Sequence, residues 1–350
     1  MRISRKLVFI LQCIIIICVI IPEYRIRNVN AQINKLRQET VVVDAVLYNE
    51  DRYISLVKQS LEHIQKENQG KVKFNFYDSR GNQAIQNEIF DNLLRNNQDV
   101  LLVNLVDITV APEVIERFRQ KDIPIIFFNR EPISLAPLKS YGKAYYVGTN
   151  AKDSGELQGK IIINLWNNDR KAIDLNDDGV LEYVMIRGQQ TNIGAEEITK
   201  SVISTIEKAG IETKQLESIA ANWDRKIARE NISALFLRYG TKMEAILANG
   251  DEMAIGAIEA LQKYGYNLGD KKKTIIVVGI DATSEAQELI KKGFMAGSVY
   301  QDPSELAKAI YIIGMNVFEG KEPLSDTPYK FDDTGIAVRL PYGEYISKIT

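Results

Sequence analysis

Cysteine is nearly absent: the 350 residues include two, Cys13 and Cys18, and both fall inside one apolar run near the N-terminus. Everything after that run is free of disulfides, so neither a cystine scaffold nor a cysteine metal cluster is open to it. Histidine is scarcer still. The single one, His63, adjoins Glu62 on a segment whose apolar stripe is Tyr53, Leu56, Val57, Leu61 and Ile64; a solvated surface residue explains it, and zinc or histidine-based catalysis is poorly supported. Charge of one sign is missing too. With 44 basic and 46 acidic residues, no basic field draws the chain to nucleic acid. A glycine-rich phosphate loop and a nucleophile elbow are both lacking, which argues against an enzyme.

What is present begins with export. "MRISRK" precedes the apolar run Leu7 to Ile21, the pattern of a signal peptide or signal anchor over residues 1–22, with a polar linker over 23–40. Cleavage after Ala31 and an uncleaved anchor both remain open, because Arg25 and Arg27 intervene. Beyond the linker, 45% hydrophobic content over this length suffices for two cores. Short apolar runs such as "VVVDAVLY", "DVLLVNLVD", "IPIIFFN", "MEAILANGD" and "KTIIVVGID" alternate with helical periods. That alternation predicts an α/β fold of two doubly wound parallel-sheet domains joined by crossing strands. Polar residues stand where strands run out: Asp51, Asn104, Asp281, Gln301 and Asp302. Each singly reads as a helix cap or turn former; together they point to a polar ligand at the carboxyl ends of the strands.

One loop suggests a metal. "DLNDDGVLE" places Asp174, Asn176, Asp178, Gly179, Val180 and Glu182 at the first nine positions of an EF-hand loop, yet its twelfth position is Met185 where a bidentate glutamate belongs. Taken alone, the stretch also describes an Asx-rich turn.

The stretches "NLVD", "PIIFFNREP", "KAYYVGTNAKDSGELQG", "DLNDDG", "NWD", "AIGAIEAL" and "VGID" resemble the periplasmic galactose/glucose-binding proteins, the calcium-containing sugar-binding proteins of ABC importers and chemoreceptors. The likeness runs from about Val41 to beyond Tyr342. It implies the type I periplasmic-binding-protein fold, two lobes about a hinge. The expected division is 41–125 plus 302–335 for the N-terminal lobe and 126–301 plus 336–350 for the C-terminal lobe, hinged near Ile125 to Asn129 and Tyr300 to Pro303. It also implies a structural calcium ion, held by Asp174, Asn176, Asp178, the Val180 carbonyl, Glu182 and, from a distant strand, Glu244.

For the sugar, the resemblance implies Asp51, Tyr53, Asn104, Asn192, Trp223, Asp281 and Gln301. Core packing is the alternative fate of the two aromatics. The agreement is incomplete. Asn192 stands where the family has a histidine, Gly194 an aspartate, Ile198 an arginine, Gly250 and Gln301 an asparagine. Charged hydrogen bonds worth roughly 1.5 to 3 kcal/mol each are lost with them, so hexose specificity does not carry over. The implied protein is extracytoplasmic, in the periplasm or tethered to the outer face of the cytoplasmic membrane. It is not an enzyme, is monomeric away from its partner, and closes on a monosaccharide, galactose- or glucose-like or a pentose, for delivery to an ABC permease. The alternative is a tethered sugar sensor partnering a membrane histidine kinase.

Overall fold

The computed structural model describes residues 40–346 apart from 191. The expected export segment and most of the linker lie outside these residues. In chain order the first lobe is β1 (Val41–Leu47), α1 (Arg52–Glu67), β2 (Val72–Asp78), α2 (Gln83–Leu93), β3 (Val100–Val103), α3 (Ala111–Arg119), β4 (Ile125–Phe128), α4 (Ala136–Tyr141) and β5 (Ala144–Gly148). The second begins with α5 (Ala151–Asn168), α6 (Arg170–Ile173), β6 (Val180–Arg187), α7 (Ile193–Lys208), β7 (Glu212–Ala220) and α8 (Arg225–Tyr239). It continues with β8 (Ala245–Ala248), α9 (Asp251–Gln262), β9 (Ile276–Asp281), α10 (Ser284–Lys291) and β10 (Gly297–Tyr300). The chain then returns to the first lobe as α11 (Pro303–Phe318) and β11 (Ala337–Arg339), and ends on the second as β12 (Gly343–Ile346).

Two six-stranded sheets result, ordered β11-β5-β4-β3-β1-β2 and β12-β10-β9-β8-β6-β7. Helices cover both faces of each, which is why central strands are apolar throughout: Val100, Leu101, Leu102 and Val103 are all buried, as are Ile125 to Phe128 and Ala245 to Ala248. Every strand pairing is parallel except that of β10 with β12.

The strand pairings correct the expected lobe boundary. β4 pairs with β3 and with β5, and β11 pairs with β5, so residues 126–148 and 337–339 belong to the first lobe. The first crossing is therefore at 149–150, past the expected Ile125 to Asn129; a second lies at 301–302, as expected, and a third at 340–342. No change of composition marks the 149–150 crossing, where one more βα turn passes from one sheet to the other. Thr149 and Tyr342 share a 2.6 Å hydrogen bond that ties two crossings together.

α5, the first helix after the crossing, lies hard against α7. A Cβ on Gly155 would meet Ser201 Oγ at 2.0 Å, and one on Gly159 would meet Thr205 Cβ at 2.9 Å. Only glycine permits so close an approach of the two backbones.

Candidate functional site

Each sheet has the switch point at which strand order reverses, between β1 and β3 in one lobe and between β6 and β8 in the other. Both are braced in the same way. Asn104, just after β3, accepts the Tyr48 N–H at 3.0 Å; Asn249, just after β8, accepts the Gly188 N–H at 3.1 Å. The two strand ends of each switch point are thus held apart at a fixed spacing by a buried amide.

Between the lobes lies a cavity of about 340 Å³, lined by both. Asp51, Tyr53, Asn192, Trp223, Asp281 and Gln301 all line it, together with the altered positions Gly194, Ile198 and Gly250. Asn104 does not. Its side chain is spent on Tyr48, the Phe128 carbonyl at 3.1 Å and Asn129 Oδ1 at 3.2 Å, and it is fully buried. The amide that reaches the cavity is that of its partner Asn129. The expected sugar role for Asn104 is corrected accordingly to support of the floor.

Asp51 caps α1, accepting the Ile54 N–H at 2.9 Å. Cap and cavity roles coexist here. Burial pushes its carboxyl up to about 6, against the pull of the Ile54 and Tyr53 N–H groups and of Arg130. Asp281 is raised well above the ordinary carboxylate range by burial and then by the negative Asp251 and Asp51. Tyr53 Oη is buried and makes no hydrogen bond among the described residues, although Gln301 stands near it. Asn192 caps α7 through the Ala195 N–H at 3.1 Å. Asp302 is the plain cap its sequence position suggests, serving Ser304 and Glu305 at the start of α11.

Trp223 lies on Gly188, where a Cβ would come within 2.1 Å of the indole. A Cβ on Gly250 would sit 3.4 Å from the ring and 3.7 Å from Asp281 Oδ2, so the absent asparagine side chain leaves space between indole and carboxylate. Trp223, Asp281 and Asn129, all cavity-lining, have positive φ of 66°, 110° and 58°. Arg130 was not singled out from the sequence. Its guanidinium donates to the Leu105 and Val106 carbonyls, stacks 4.2 Å over Tyr48, and crosses the cleft to Gln189 Oε1 at 2.8 Å. Asn249, also cavity-lining, went unnoticed as well; its signal is the position it shares with Asn104, one residue past the third strand of each lobe.

The metal loop has the turn skeleton of an EF-hand: Asp174 accepts the Asp178 and Gly179 N–H groups, Asp178 accepts the Val180 N–H, and Gly179 has φ of 84°. Glu244 arrives from the residue before β8, its two oxygens on the Leu175 and Glu182 N–H groups at 2.8 and 3.0 Å. Yet among the described residues no three acidic, histidine or cysteine side chains stand close enough to form a ready cage. Arg170 holds Asp174, Lys214 holds Glu182, and the Asn176 amide nitrogen sits between Asp178 and Glu182. The donors are all oxygens, the set a hard divalent cation takes. A cation there competes with Lys214 and requires the Asn176 amide to turn.

A model of the periplasmic binding protein domain matches residues 42–322. The chain belongs to the periplasmic binding protein family. The D-galactose/methyl-galactoside binding periplasmic protein of Haemophilus influenzae is 36% identical to it over 84% of this chain and 85% of its own length. A putative rhizopine-binding protein of Rhizobium meliloti is 30% identical over 75% and 79%. Among solved structures, an ABC transporter periplasmic solute binding protein from Actinobacillus succinogenes, with bound D-allose, superposes with a TM-score of 0.72 over 88% of this chain and 98% of its own, at 17% identity, a likeness of fold. As a periplasmic binding protein, the molecule is a receptor and not an enzyme.

Proposed function

We propose that the protein closes on a monosaccharide outside the cytoplasmic membrane and delivers it to an ABC permease. The observation that carries this reading is the cavity lined from both lobes, with carboxylates, an orphan hydroxyl and an indole facing one small volume. The names of its relatives, which bind galactose, methyl-galactoside and ribose, support a sugar. Where α7 meets the cavity the lining is Ile193, Gly194, Ala195 and Ile198, with the exposed Glu197 beside them and Ile108 and Ile133 from the first lobe. Recognition is therefore lopsided, and a pentose such as xylose, or a hexose with an apolar substituent, asks less of that face than glucose does. Calorimetry against a sugar panel tests this. Tighter binding of xylose or a methyl glycoside than of glucose and galactose is expected, and the reverse order overturns the lopsided reading. The tethered-sensor alternative rests on residues 7–21, outside the described ones.

Calcium at the Asp174 loop is proposed as a structural ligand. Bound there it would tie the loop to β8 and stabilise the second lobe by mass action, with no part in any chemistry.

A further inference from the structure

The cleft is lined by carboxylates from both lobes. Asp51 from the first lobe and Asp281 from the second both line it, and among the described residues neither has a lysine, arginine or histidine within salt-bridge distance. At position 198, on the cavity wall, stands a buried isoleucine.

The remaining charges are engaged or peripheral. Arg130 is occupied by two carbonyls, Gln189 and the face of Tyr48. Glu131 is bound by Arg339, and Glu252 has Arg225 at 4.0 Å. Arg52 and Glu197 are exposed at the mouth. What faces the enclosed volume without an ion pair is a pair of carboxylates on opposite lobes, Asp51 drawn only at longer range by Arg130. A buried charge without a partner is costly, and like charges sharing a site are costlier. A neutral polyol relieves this by hydrogen bonds alone, whereas a protonated amine supplies both the bonds and the missing charge. The second observation is Tyr53 Oη, buried beside Asp281 with Gln301 near it but no hydrogen bond completed among the described residues, which awaits a polar group of the occupant.

We propose that the ligand is a cationic polyol, an amino sugar or aminocyclitol, whose ammonium lies between Asp51 and Asp281 with a hydroxyl on Tyr53. This rests on the sugar-receptor reading above and narrows its ligand class.

The test is calorimetry at pH 7 with three amino sugars, D-galactosamine, D-glucosamine and 6-amino-6-deoxy-D-glucose, against D-galactose, D-glucose and their N-acetylated forms. At least one amine should bind ten-fold or more tightly than its hydroxyl parent, and N-acetylation should abolish the gain. Ile198→Arg, which introduces a guanidinium, and Asp281→Asn should each bring the amine-to-parent ratio toward one. If the parents bind and every amine binds no better, or the N-acetyl forms bind as well as the amines, the amine inference falls and the receptor reading stands. If neither parents, amines nor the pentoses of the earlier panel bind, both fall.

Discussion

Asp51 is one of the buried carboxyls on which pH acts, with Asp251 and Asp281. Its carboxyl is held at about 6 in the folded protein against an ordinary 3.8, burial being the main cause. A raised carboxylate costs folding free energy when ionised. The cost is absent below the unfolded value, grows between about 4 and 6, and is complete above that window. The empty protein should accordingly become more stable as pH falls from about 6 toward 4. Ligand binding should run the other way, since hydroxyl or ammonium donors favour the ionised form, and affinity should drop as pH falls through 6. Titration calorimetry from pH 8 to 5 reads the second effect; a flat profile removes Asp51 from the site. Trp223 makes a separate prediction. Trp223→Ala should weaken sugar binding by about ten-fold or more, through loss of the platform, while an unchanged affinity returns the indole to packing on Gly188.

At the scale of elements, the paired asparagines carry the cleft floor. Asn104→Leu leaves the Tyr48 N–H without its acceptor in a buried setting and takes one of two donors from the Phe128 carbonyl, which keeps the Arg130 N–H, at a cost of roughly 1 to 3 kcal/mol. Asn249→Leu should cost a similar amount through Gly188. Urea unfolding would show a shifted midpoint for each; wild-type midpoints would make the braces incidental. The calcium loop predicts that a chelator lowers the melting temperature and that Glu244→Gln removes most of that sensitivity. Equal melting with and without chelator overturns the assignment. These elements also show what the sequence conveys. The strands were legible because residues buried on both faces must be apolar along their whole length, as Val100 to Val103 are. Residues at strand ends were legible as polar, but not the direction each side chain takes: Asn104 turns inward to Asn129, and Arg130 folds onto Tyr48. Those choices depend on three strands meeting, which no local pattern encodes.

For the whole molecule, the number of lobes was readable and the place of the hinge was not. Length and repeated βα units required two cores, but the crossing at 149–150 is written in the same residues as any other turn. With two of the three crossings tied by Thr149 and Tyr342, ligand should close the lobes as two rigid bodies. Small-angle scattering should show a smaller radius of gyration with a bound sugar than without, and Asp281→Ala should lose that compaction. Tight binding with no compaction in the wild-type protein contradicts hinged closure. Finally, the glycine contact of α5 with α7 gives the hinge a lever arm. α5 starts at the crossing, and α7, about 24 Å long from its 16 residues, is clamped to it at Gly155 and Gly159. Its tip presents Asn192, Gly194 and Ile198 to the cavity. A methyl group added at Gly159, three turns of helix from that tip, wedges the two rods apart and swings the selectivity face. The width of the cleft is thus calibrated at a point that no ligand touches.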